Sequence, residues 1–158
     1  MGGRLRHDLR GGWGNVVVAG CTRRKAPTTI PLPALDLYQG SCLPQLRMRV
    51  GDQPDRRRQV FILSAKHGLV PADQALLPYD LPLTHGRACE LRPLVMQALM
   101  DRFQAGGLPA EILLILEPLY LVPLADLMAI PKRPRLRWVP DGHNWNEASA
   151  ILDEWGWA

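Results

Sequence analysis

The segment GCTRRK (residues 20–25) sets a thiol, Cys21, four positions before an amine, Lys25, with Arg23 and Arg24 between them. Positive charge beside a thiol favours thiolate, the form in which cysteine attacks. The competing role for Cys21 is a small residue that turns the chain. A second polar group, SAKHG (residues 64–68), offers Ser64, Lys66 and His67 in a tight turn closed by Gly68, where backbone donors and a cation could hold a phosphate. Alternatively, Ser64 caps the turn and Lys66 is solvated. Tyr79 and Asp80 follow Pro78, whose fixed φ makes the turn abrupt. An aromatic face stacks on any base, and a carboxylate activates water or stabilises an oxocarbenium ion at a sugar. Base excision needs both; the other reading has Tyr79 packing and Asp80 capping the next turn.

Glu117 and Asp141 are further acids placed after apolar runs. His143, Asn144 and Trp145 make a polar and aromatic patch able to read a base edge, although Asn144 equally suits a helix cap. Neither GxxxxGK[ST] nor GxGxxG occurs, so nucleotide-triphosphate and dinucleotide binding have no support. His-based metal spacing is lacking, and Cys21, Cys42 and Cys89 are an odd set without CxxC, so neither a metal, a cofactor nor a disulfide framework is expected.

The net charge is +4, and the positive residues come in bursts: Arg23, Arg24 and Lys25; Arg56, Arg57 and Arg58; Lys132 and Arg133 followed by Arg135 and Arg137. Clustered cations release condensed counterions from a phosphate backbone, which points to nucleic acid, while a solvated basic loop explains any single burst.

These groups need elements that bring them together. NVVVAG (residues 15–20), QVFILS (59–64), EILLIL (111–116) and RLRWV (135–139) read as short strands, each running into one of the polar segments. Leu35, Tyr38, Leu43, Leu46 and Val50 suggest a helix broken by Pro44. Leu91, Leu94, Val95, Ala98, Leu99 and Phe103 mark a long one stopped at Gly106 and Gly107, a helix is expected through Leu121, Leu124, Ala125 and Met128, and residues 146–155 close the chain as a helix. Alternation of strands and helices predicts a single α/β domain over residues 15–158. Its central sheet is mostly parallel, of about four strands with helices on both faces, preceded by a loose basic arm at 1–14. At 158 residues, 47% hydrophobic and 22% charged, one core suffices. The apolar run at 112–130 is interrupted by Glu117, Pro118, Pro123 and Asp126, so no membrane partner is expected, and without a secretory signal the cytoplasm is. In such sheets ligands bind beyond the carboxyl ends of the strands, where Cys21, Ser64, Glu117 and Asp141 should converge.

The blocks GCTRRK, ALDLYQG (34–40), Ser64-x-Lys66-x-Gly68-Leu69 and Pro78-Tyr79-Asp80-x-Pro82-Leu83 occur in an order that resembles the YaaA-like proteins and a short uncharacterised bacterial and phage family related to them. The resemblance covers residues 16–83. It implies an α/β fold with a positively charged cleft and a connection with DNA under oxidative stress. It also brings relatives associated with modified nucleobases, including the Cys-x-x-x-Lys segment of archaeosine-forming enzymes, which continue with Pro-Tyr where this chain has Ala26 and Pro27.

Together these readings lead to an enzyme that recognises a modified or damaged base in nucleic acid, most concretely a monofunctional DNA glycosylase that flips a nucleotide and hydrolyses its N-glycosidic bond, in DNA repair or antiviral defence. Asp80, Lys66, Ser64, Cys21 and Glu117 are the catalytic candidates. Tyr79, Tyr38, Lys25, His67 and Asn144 would bind substrate, while Arg23, Arg24, Arg56, Arg57, Arg58, Lys132 and Arg133 would hold DNA, with RNA left open. The alternatives are a non-catalytic DNA-binding stress protein and an enzyme acting on free nucleosides or nucleotides.

Overall fold

The β-branched and apolar runs read above form the strands, as seen in a computed structural model that describes residues 14–157. Strand β1 (Asn15–Gly20) is central. β2 (Leu32–Pro33) opens the first connection, which continues through helices α1 (Ala34–Leu37), α2 (Leu43–Val50) and α3 (Pro54–Arg58) to β3 (Val60–Ser64). After β3 come β4 (Gly68–Pro71), β5 (Ala75–Leu76), the long helix α4 (His85–Gly106), β6 (Glu111–Ile115), a 3-10 segment at Pro118–Ala129, β7 (Arg135–Val139) and α5 (Trp145–Glu154).

The sheet runs β4-β3-β1-β6-β7, with β1, β3, β6 and β7 mutually parallel. Val17 faces Val60 on one side and Leu113 on the other. This single α/β domain thus has the expected mostly parallel sheet, with five strands where the sequence reads as about four. The fifth, β4, returns antiparallel to β3 with Ser64 opposite Gly68. It is four residues long and ends in proline, so its sequence carries no strand pattern. The hairpin needs Gly68 at φ 75, a left-handed value that a side chain disfavours. A two-strand antiparallel ribbon, β2 with β5, lies apart from the sheet.

Uninterrupted apolar strands follow from burial on both faces. Val17, Ala19, Ile62, Leu113 and Ile115 pack with Leu35, Leu46, Ile151 and Leu152 of α1, α2 and α5. The alternate residues Val16, Val18, Phe61, Leu63, Ile112 and Leu114 pack with Leu91, Val95 and Leu99 of α4 and with Leu124 and Leu127. The helix expected around residues 121–128 is 3-10 instead, because Pro118 and Pro123 remove amide donors from its turns. Pro44 breaks nothing: it sits in the first turn of α2, where its missing donor costs no bond, and the break falls before it, between Tyr38 and Cys42. The loose arm expected at 1–14 lies, but for Gly14, outside the described residues. Among the described residues no helix is long and apolar enough to cross a membrane.

Candidate functional site

From β1 the chain moves to β3 on one side, and from β4 it crosses back through α4 to β6 on the other. That reversal opens a crevice at the carboxyl ends of β1 and β6, as it does in open α/β sheets generally. The crevice is a cleft of about 730 Å³. Its walls carry Cys21, Arg23, Arg24 and Lys25 after β1, Glu117 and Tyr120 after β6, His143 after β7, Gly40 and Ser41 before α2, and Asp80 to Leu83 ahead of α4. Carboxylates and cations from three separate segments therefore share one cavity. Among the described residues no three His, Cys, Asp or Glu side chains gather as a metal ion requires.

Cys21 sits half-buried at the floor. Its Sγ lies 3.2 Å from the Tyr120 hydroxyl and accepts from the Ala65 amide at 3.4 Å, while its own amide donates to the Leu63 carbonyl. Burial, with Cys21 close by, pushes the Tyr120 phenol well above its usual range. Tyr120 escapes a sequence reading because it projects from a segment patterned as core helix. The available signal is its place three residues after Glu117, where a strand has just ended.

Behind Lys25 lies a closed set of hydroxyls. The Tyr79 hydroxyl is 2.6 Å from both Ser64 Oγ and the Tyr38 hydroxyl. Ser64 Oγ also accepts from the amides of Lys66 at 3.2 Å and His67 at 3.0 Å. Those two bonds fill its lone pairs, so its proton goes to a neighbouring phenol oxygen, Tyr79 or Tyr38. Ser64 and Tyr38 are both 0% exposed. Burial drives the phenols of Tyr38 and Tyr79 upward, Tyr79 with a further push from Cys21.

This arrangement corrects several expectations. The amides of the Lys66 turn bond to Ser64, so they hold the turn's shape rather than a phosphate. Ser64 is a buried hydroxyl held within that set and does not line the cleft, so it is not placed as a catalytic group. Tyr38 is sealed in the core and binds no substrate. Tyr79 does not line the cleft, and its ring is already engaged: Lys25 Nζ stands over it at 4.4 Å, Lys66 Nζ at 5.7 Å, and His67 makes a T-shaped contact with centroids 5.3 Å apart. Burial and the neighbouring Lys66 charge lower the His67 pKa. Lys66 and His67 are exposed beside the cleft and do not line it. Asn144 proves to be the cap of α5, accepting from the Glu147 amide and donating to its carboxylate.

The basic bursts separate. Arg23 and Arg24 are exposed on the cleft. Arg56, Arg57 and Arg58 lead into β3, and Lys132 and Arg133 lead into β7, so both groups lie at the amino edge of the parallel strands, away from the cleft. Several of these arginines have other engagements. Arg57 pairs with Asp73 and Asp36, Arg58 with Asp55, and Arg56 lies over the Trp157 ring. A charge burst just before a parallel strand signals that placement in the sequence itself.

Two more contacts shape the walls. Gly40 donates its amide to Thr22 Oγ1 at 3.1 Å, and a Cβ added at Gly40 would lie 2.9 Å from Thr22 Cβ. Arg87 of α4 donates to the carbonyls of Ala65 and Lys66, both at 2.8 Å.

Residues 16–107, more than half of the chain, match a family of unknown function, DUF6884. The chain belongs to DUF6884. The match starts inside β1 and runs to the end of α4, so this DUF6884 member carries Cys21, Lys25, Ser64, Tyr79 and Asp80 within the family region, and Glu117, Tyr120 and His143 beyond it. No curated protein matches it. Among solved structures it is similar to the crystal structure of AF0587, a protein of unknown function, at 13% identity and a TM-score of 0.48, with 89% of this chain and 44% of that one covered. The DUF6884 chain thus spans less than half the length of that neighbour.

Proposed function

We propose that this DUF6884 protein is a cytoplasmic N-glycosylase acting on a modified or damaged base, with DNA as its substrate. The observation that carries the reading is the meeting of two carboxylates, Asp80 and Glu117, with Arg23, Arg24 and Lys25 in one cleft. Hydrolysis of a glycosidic bond places positive charge on the sugar and needs a water stripped of its proton; a carboxylate serves either task. Exposed arginines at the rim suit the phosphates that flank a flipped nucleotide. A volume of about 730 Å³ falls in the range of small-ligand sites and admits one nucleotide. The resemblance of residues 16–83 to YaaA-like proteins adds support.

Purified protein incubated with DNA bearing a panel of modified bases should generate abasic sites, read as alkali-labile breaks. Asp80→Asn or Glu117→Gln should lower that rate by about 100-fold or more while DNA binding persists. A panel without a single break sinks the glycosylase. The placement of Arg56 to Arg58 and of Lys132 and Arg133 on the far edge favours one second reading, release of the base from a free nucleotide. That reaction would lose little rate as salt rises, because a mononucleotide displaces few counterions.

A further inference from the structure

Among the described residues Lys25 is the one amine on the cleft wall, and several contacts fix its placement. Its main chain forms an antiparallel bridge with Tyr38, flanked by bonds from Ala26 to Leu37 and from Gln39 to Arg24. Nζ donates to the Arg23 carbonyl at 3.3 Å and stands over the rings of Tyr79 at 4.4 Å and Tyr38 at 5.7 Å. No carboxylate forms an ion pair with it among the described residues, although Asp80 and Glu117 share its cavity. A lysine kept in charge by a carboxylate is a poor nucleophile; one without such a pair, partly withdrawn from water and adjoining arginines, is of the kind that forms Schiff bases. Burial lowers its pKa, outweighing the opposing pull of Cys21 and Asp80.

We infer that Lys25 is the nucleophile of a lyase step, condensing with the C1′ aldehyde of an abasic deoxyribose in DNA. The inference rests on the glycosylase reading for its substrate, because an abasic sugar is what base removal leaves. The amine lone pair attacks C1′ of the open-chain sugar, and the carbinolamine loses water to give an iminium. A carboxylate of the cleft then takes the C2′ proton. The C2′–H electrons form a C2′–C3′ double bond, and the C3′–O bond breaks to expel the 3′ phosphate. Water adds back to the C=N bond, freeing Lys25 and an unsaturated aldehyde on the cut strand. The water lost in condensation is regained in hydrolysis, and no redox partner is required.

The test uses the full chain and duplex DNA holding a single abasic site, with sodium borohydride added during the reaction. Hydride reduces the iminium to a stable secondary amine, so protein and DNA should become covalently joined, and peptide mass mapping should place the adduct on Lys25. Lys25→Arg, which keeps the charge, should lower the yield of adduct by about 100-fold. Absence of any adduct with the parent protein overturns the inference, and so does an adduct mapped to Lys66, another lysine or the N-terminal amine. Mapping on the parent settles the matter even if the variant folds poorly. Base release without a borohydride adduct defeats the lyase and leaves the glycosylase standing; an adduct at Lys25 with no base released from any modified DNA does the reverse.

Discussion

Raising the pH tests the hydroxyl cluster directly, because the chain has three tyrosines and all of them line or back the cleft. An unfolded tyrosine loses its proton at about pH 10. In the fold, burial raises Tyr38, Tyr79 and Tyr120 above that value. Above pH 10 the unfolded chain therefore binds fewer protons than the native one, and stability must fall as pH rises. Each fully protected phenol contributes a slope of about 1.4 kcal/mol per pH unit. Tyr38 counts in full, whereas Tyr79 and Tyr120 are only partly shielded and are discounted for solvent screening, giving about 2–4 kcal/mol per unit in total. Lys25, lowered in the fold, acts in the opposite sense only up to about pH 10.4, where the unfolded amine has also lost its proton, and adds no slope beyond it. A domain holding about 5–15 kcal/mol in all loses that reserve within a few units. Tyrosinate absorbance and circular dichroism followed together against pH should change in one step, steeper than a single-proton titration. Gradual tyrosinate formation centred near pH 10, with the dichroism intact, would show that the three phenols are not shielded and refute the argument.

Tyr79→Phe keeps the ring under Lys25 but removes the hydroxyl that joins Ser64 to Tyr38, taking one hydrogen-bond partner from each of these buried groups. At about 1–3 kcal/mol for each unsatisfied donor, we expect a loss of about 2–5 kcal/mol, seen as a fall in Tm of roughly 2–4 °C per kcal/mol. Gly40→Ala forces Thr22 aside and should cost about 1–3 kcal/mol, read as a lower urea midpoint at unchanged slope.

The strands were legible because burial on both faces writes itself as unbroken runs such as NVVVAG and VFILS, and the carboxyl-end rule then placed Cys21 and Glu117 on the cleft, whereas Ser64 and Asp141, expected beside them, do not line it: Ser64 is buried and Asp141 accepts from the His143 amide. Strand β4 left no mark, since GLVP is short and ends in a residue that strands avoid. The roles of Tyr38 and Tyr79 were illegible for another reason: their bond joins residues 41 apart, and only the fold decides whether an aromatic faces solvent or another hydroxyl. The arginine bursts were visible as charge, but their edge of the sheet had to be read from the strand each precedes. Tyr120 was hidden by apolar neighbours that pattern as core.

The two bonds from Arg87 to the carbonyls of Ala65 and Lys66 have a mechanical outcome. They rivet the loop bearing Lys66 to the first turn of a 22-residue helix whose Leu91, Val95, Leu99 and Phe103 are sunk in the opposite layer of the core. Displacing that loop means breaking two charge-assisted bonds or dragging the helix off the sheet. The loop flanking the cavity is consequently a rigid abutment, which keeps its position against the sheet whatever enters the neighbouring space.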